Sequence, residues 1–189
     1  LGGDALEAEI IAALTVWLQP APPTPELERV VGSYRLDDGQ LIRVLLLRGG
    51  LVFDSGRGPQ RRLRLTPTGA FASIGEQDPA TLVFSGGTPS AAQTLTLDRP
   101  APARTARRVE VAVEALRTYV GVYPLSDALA MHVTLDSGHL IAQATGASRH
   151  PLFPESDTRF FVQDYATDDV AGLEFGRAPD GRAFVIIRQ

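Results

Sequence analysis

The chain has 189 residues, 44% of them hydrophobic, with 22 acidic residues against 18 basic ones and no cysteine, a balance that belongs to a folded chain and not to a disordered tail or a disulfide scaffold. All 18 basic residues are Arg, so chemistry that needs a lysine amine is excluded from this chain, as are thiolate nucleophiles and thiolate metal sites. No run approaches the roughly 18 apolar residues of a membrane span, and the N-terminus lacks the basic region of a signal peptide; the expectation is a soluble chain with no visible export signal, its compartment left open between cytoplasm and exterior.

Residues 4–19 read as an amphipathic helix. Asp4 can cap it, Glu7 follows three positions on, and Leu6, Ile10, Leu14, Trp17 and Leu18 recur at helical spacing. Pro20, Pro22, Pro23 and Pro25 stop the helix, because proline offers no N–H and pushes its predecessor out of the helical region. Beyond this linker the texture changes to short apolar or alternating runs separated by Gly, Pro and Asp. Strands are predicted at 41–47, 51–53, 61–65, 71–74, 81–84 and 94–97, then at 130–135, 140–144, 159–163, 171–175 and 183–188.

A shift of 89 positions lays the second half of the chain on the first. Leu27, Val31, Gly32, Tyr34 and Leu36 fall on Leu116, Val120, Gly121, Tyr123 and Leu125. Val44, Leu46, Gly49 and Leu51 fall on Val133, Leu135, Gly138 and Leu140, and Phe71 on Phe160. After a two-residue insertion Leu82 and Phe84 meet Leu173 and Phe175. Each repeat reads as a short helix, a Gly that turns the chain into a strand beginning at the Tyr, a Gly-centred hairpin, and further up-and-down strands. The expected architecture is mainly β: an N-terminal helix and linker (1–25) and two tandem antiparallel barrels of six to eight strands (26–108 and 109–189). The first barrel carries 12 Arg and 8 acidic residues and the second 6 Arg and 11 acidic, an opposition that favours docking of one on the other.

The segments Leu116 to Leu125, Leu152-Phe153-Pro154-Glu155-Ser156-Asp157-Thr158-Arg159-Phe160-Phe161 and Gly172-Leu173-Glu174-Phe175 resemble the lipocalin-like accessory domain that follows the catalytic domain of β-lactamase-like, penicillin-recognising serine hydrolases, the group that includes D-aminopeptidases. Arg149-His150-Pro151 departs from that pattern. D-aminopeptidases are similar in carrying two such barrels, and the helix at 4–19 resembles the one that closes their catalytic domain. The resemblance implies lipocalin-like barrels in a non-catalytic C-terminal region of a bacterial hydrolase, packing on the catalytic domain and shaping substrate access or assembly. The alternative is a stand-alone lipocalin-like module binding a small apolar ligand. The family's catalytic motifs have no place in this chain, which lacks Lys and any His-Thr-Gly or His-Ser-Gly. No catalytic, cofactor-binding or metal residue is therefore assigned, and the chain by itself is not expected to be an enzyme. Its expected partners are the catalytic domain of the same polypeptide and further copies of itself, with no nucleic acid and no membrane span.

The remaining candidate chemistry is weak on spacing alone. His132, His139 and His150 fall on a strand, a hairpin tip and the next strand, which does not converge them on a metal or a nucleophile. Asp164, Asp168 and Asp169 lack the alternation and closing Glu of a calcium loop and read as a solvated loop. Glu155, Ser156 and Asp157 after Pro154 read as a turn whose side chains bond nearby backbone. Arg57, Arg61, Arg62 and Arg64, with Arg99, Arg104, Arg107 and Arg108, read as solvated or facing a carboxylate surface. Tyr34, Phe71 and Phe84, with Tyr123, Phe160, Phe161 and Phe175, are expected to fill the two barrel cores.

Overall fold

The computed structural model describes residues 24–74, 80–87, 92–98, 102–165, 167, 169–179, 181 and 183–188. The predicted helix at 4–19 lies outside them. Of the described residues 54% are in strands and 6% in helices, and the strands form two antiparallel sheets that follow one another along the chain.

The first sheet is a closed barrel in sequential order: β1 (Gly32–Leu36), β2 (Leu41–Leu47), β3 (Gly50–Asp54), β4 (Arg61–Leu65), β5 (Phe71–Ser73), β6 (Thr81–Ser85), β7 (Thr94–Leu97) and β8 (Arg104–Arg108). A single turn of helix, α1 (Pro25–Glu28), precedes it. After a second short helix, α2 (Val113–Arg117), come β9 (Gly121–Pro124), β10 (Ala130–Asp136), β11 (His139–Ala144), β12 (Arg149–Pro154), β13 (Arg159–Gln163), β14 (Val170–Arg177) and β15 (Ala183–Arg188). These seven form one sheet running from β15 to β9 without a hydrogen-bonded closure. The two expected barrels are thus one closed barrel and one barrel-like sheet with a seam. β8 escaped the reading of the sequence because Arg-Thr-Ala-Arg-Arg holds only one apolar residue, Ala106. β12 escaped it because Pro151 and Pro154 interrupt its run.

The repeat is visible at the level of single bonds. The β2–β3 and β10–β11 hairpins turn through Arg48-Gly49 and Ser137-Gly138, all four residues having positive φ, the two-residue geometry that matches strand twist. Tyr34 Oη donates to Val30 O, and Tyr123 Oη to Tyr119 O, each at 2.8 Å. In the first core Phe84 receives the edges of Tyr34 and Phe71 at 5.7 and 5.6 Å. In the second, Phe175 meets Tyr123 and Phe160 at 5.5 and 5.6 Å with matching interplanar angles of 62° and 80°. Around each aromatic trio the inward strand residues close the core: Ile42, Val44, Leu82 and Leu95 in the first, Val133, Leu140, Leu152 and Leu173 in the second.

One end of the first barrel is stoppered by a charged side chain. Arg108, the last residue of β8, donates from Nε to Ala92 O, from one terminal nitrogen to Val31 O, and from the other to Arg29 O and Tyr34 Oη. Its guanidinium lies 5.1 Å from the centre of the Tyr34 ring. A barrel end is where the ladder runs out and carbonyls lose partners, and one planar five-donor group satisfies several of them. This corrects the expectation for Arg108, which belongs to no solvated basic face. It also explains Gly32, whose φ is +148° and where a Cβ would overlap that guanidinium.

Candidate functional site

The region where residues of both sheets meet is the candidate site. On β2 and β3, Val44, Leu46, Leu51 and Phe53 point into the barrel, so Leu45 and its cross-strand partner Val52 point outward. Both are nonetheless buried, because Phe161 of β13 packs on them together with Phe153 and Val170. The same alternation holds on β13: Phe160 and Val162 face the second core while Phe161 and Gln163 face the first barrel. Phe161 was expected in a barrel core and belongs instead to the junction, stacked on Phe153 at 4.9 Å. Strands buried on both faces read as continuous apolar runs, and the stretch Val44-Leu45-Leu46-Leu47 that follows Arg43 in β2 is such a run.

Polar groups fix the register of this contact. β1 begins opposite Val44, so Leu46 lies beyond its end and has no strand partner on that side. The fully buried Gln163 supplies one: Leu46 N–H donates to Oε1 at 3.1 Å, and Nε2 donates to Leu46 O. A side-chain amide thereby extends the ladder by one residue, satisfying backbone groups that would be costly to bury unpaired. Glu155 is the second tie. Arg43 Nε meets its Oε1 at 2.5 Å, and Arg35 donates to its backbone carbonyl. The Glu155 side chain is 8% exposed and that of Arg43 37%, so the carboxylate is shielded from water while the guanidinium keeps contact with it. The opposed charge of the two halves is realised here. Ser156 keeps the expected turn role, its Oγ accepting from Arg159 N at 3.1 Å, but Glu155 does more than turn.

Beside this contact lies a cavity of about 640 Å³ with walls from both halves. Leu116, Leu140, Leu152 and Phe160 form its apolar floor and belong to the second core. Val31 and Phe153 close it toward the first barrel, and Glu28, Glu110, Asp136, His139 and Tyr165 bring polar groups to it. Burial pushes the Tyr165 hydroxyl up to about 12, and the negative charge of Glu28 adds to the shift.

The histidines do not converge. His132 is exposed on β10, His139 borders the cavity, and His150 stands 4.0 Å from Asp164. Among the described residues no group of three His, Asp or Glu could hold a metal ion, and no helix is long and apolar enough to cross a membrane. Asp164 and Asp169 are joined through backbone, Asp164 N donating to Asp169 O at 2.9 Å; Asp168 lies outside the described residues, as does Arg99. Arg57, Arg62, Arg64 and Arg107 are exposed, and Arg104 pairs with Asp38 at 2.5 Å. Reading the sequence missed Arg35, Arg43 and Gln163 as junction residues. The available signal was a Gln that shares the strand parity of Phe161, at the end of the apolar run Phe160-Phe161-Val162.

Residues 105–187 match a family described as Domain of unknown function (DUF3471). It is the kind of domain found C-terminal to β-lactamase-like proteins. The match begins inside β8 and takes in the second sheet up to Ile187, so it includes Glu155 and Gln163 and most of the cavity wall, but not Glu28 or Val31. No curated protein matches the chain.

Proposed function

We propose that this chain is the non-catalytic C-terminal accessory region of a bacterial β-lactamase-like serine hydrolase, two lipocalin-like units that pack on the catalytic domain and shape access to its cleft or its assembly. The match over residues 105–187 to a domain of that context carries the reading. The lipocalin-like assignment draws on the first sheet, an eight-stranded up-and-down antiparallel barrel closed on itself. The junction supports the accessory role in a further way. A unit that positions another domain must hold its own shape, and Gln163, Glu155 and Phe161 tie the two sheets through buried contacts.

The test is the native gene product. Immunoblotting of source cells with mass spectrometry of upstream peptides is expected to show a polypeptide much larger than 20.2 kDa carrying a Ser-x-x-Lys motif upstream, while the purified 189-residue chain turns over neither nitrocefin, D-amino-acid amides nor simple esters. A native product of 20.2 kDa, or active-site-dependent turnover by the isolated chain, overturns the proposal.

A further inference from the structure

The cavity at the junction has a composition of its own. Its volume, about 640 Å³, falls in the roughly 300–1,000 Å³ range of small-molecule sites, which are apolar clefts with a few polar groups that fix orientation. The floor is aliphatic and aromatic, and Phe153, Phe160 and Tyr165 line the cavity as well. Three carboxylates stand around it. Asp136 has a partner in Arg149 at 3.5 Å, whereas Glu28 and Glu110 form no ion pair with any of the described residues. The one arginine in the lining, Arg108, has its donors turned to Ala92 O, Val31 O, Arg29 O and Tyr34 Oη, so it offers no free fork to an anion. An anionic amphiphile would bring its head to carboxylates, and a cationic one would meet carboxylates and ring faces, both of which attract it.

We propose that this cavity is a binding site for a small organic cation with an apolar body, an alkyl- or arylammonium, whose apolar part lies on Leu140, Leu152 and Phe160 and whose charged head lies among Glu28, Glu110 and Tyr165. The ligand needs both halves of the chain, because Glu28 and Glu110 precede the second sheet and the floor belongs to it. The site stands apart from the accessory reading: a chain that proved to be a complete protein would still carry it, and failure of the site would leave the accessory role untouched.

Isothermal titration calorimetry of the 189-residue chain with octyltrimethylammonium, octanoate and octanol tests it. The cation is expected to bind at one saturable site, with octanoate about tenfold weaker or more. The double substitution Glu28→Gln, Glu110→Gln, at two exposed positions, weakens the cation about 5- to 10-fold and leaves octanol unchanged. Amide shifts on adding the cation cluster at 138–141, 152–153 and 165. Absence of saturable binding, equal affinity for octanoate, insensitivity to the double substitution, or shifts centred elsewhere each overturn the proposal.

Discussion

The two halves of this chain share a blueprint and differ most in how the sheet closes. Both have the same two-residue hairpin, the same Tyr-to-carbonyl bond four residues back, and the same Tyr-Phe-Phe arrangement, to which the second adds Tyr119 stacked on Phe175 at 4.8 Å. The first, however, has β8 between β7 and β1, and the second presents β9 and β15 as sheet edges. The consequence is read in equivalent residues. Val31 and Leu36 are 1% and 4% exposed, while their counterparts Val120 and Leu125 are 47% and 38% exposed. An apolar position in a repeat has no fixed burial; what neighbours it decides. The closing strand also brings Arg108, so the first barrel has an internal charge that holds its end together and the second does not.

Removing that charge gives the largest expected effect. Arg108→Leu takes the guanidinium donors from Val31 O and Ala92 O and leaves Arg29 O with Ala92 N–H alone, and is predicted to cost about 3–5 kcal/mol in urea unfolding followed by circular dichroism. A loss below 1 kcal/mol would show that the stopper is incidental. The paired glycines sharpen the point. At Gly32 a Cβ would overlap the Arg108 guanidinium at a φ of +148°, whereas at Gly121 the nearest atom is the Tyr123 ring at 3.9 Å. Gly32→Ala is therefore expected to cost about 3 kcal/mol and Gly121→Ala less than about 1. Equal losses would mean that both glycines serve the same turn and that Arg108 has no part in the difference.

The sequence was most informative where a short run is bounded by turn residues, whatever covers its faces. β2, β4, β7, β13 and β15 were legible to the residue, because apolar runs or alternation between such boundaries suffice to mark them. The repeat identified the Tyr–Phe–Phe trio correctly, since equal spacing through equal hairpins places equal residues in equal cores. What could not be read was whatever depends on the neighbour. Ala106 is a single small apolar residue among arginines, and only the closed ladder gives it 0% exposure. Phe161 adjoins Phe160 in sequence, and alternation sends it to the other face, a face that is apolar only because the first barrel covers it. Gln163, Glu155 and Arg43 are ordinary surface types until two sheets meet.

The junction separates the halves experimentally. Gln163→Leu keeps the volume but leaves Leu46 N–H and C=O without partners, and is expected to cost about 2 kcal/mol. Because the lost bonds tie one sheet to the other, the loss is expected to appear as two resolved unfolding transitions in place of one, with the repeat cores intact. A single, merely shifted transition would place Gln163 within the stability of its own sheet and not between the two.

The smallest effect belongs to pH. Burial raises the Tyr34 hydroxyl to about 12, the positive charge of Arg108 working against that rise, and burial raises Tyr123 as well. A tyrosine whose folded value lies above its ordinary value near 10 is protonated in the native state while the unfolded chain has already lost the proton. Its contribution is therefore present in full below about pH 10 and is lost as pH climbs from about 10 to 12. Tyr34 alone is expected to remove about 1 kcal/mol by pH 11, and Tyr34→Phe to flatten the alkaline slope by that amount, more than Tyr123→Phe does. With Arg108→Leu the attraction that favours the Tyr34 phenolate is gone, so the slope should extend to higher pH in whatever part of the first barrel still folds. An alkaline profile that responds equally to both Tyr→Phe substitutions would mean that the open seam shields its tyrosine as well as the closed barrel does, and that the missing strand matters less to the second core than the exposure of Val120 and Leu125 indicates.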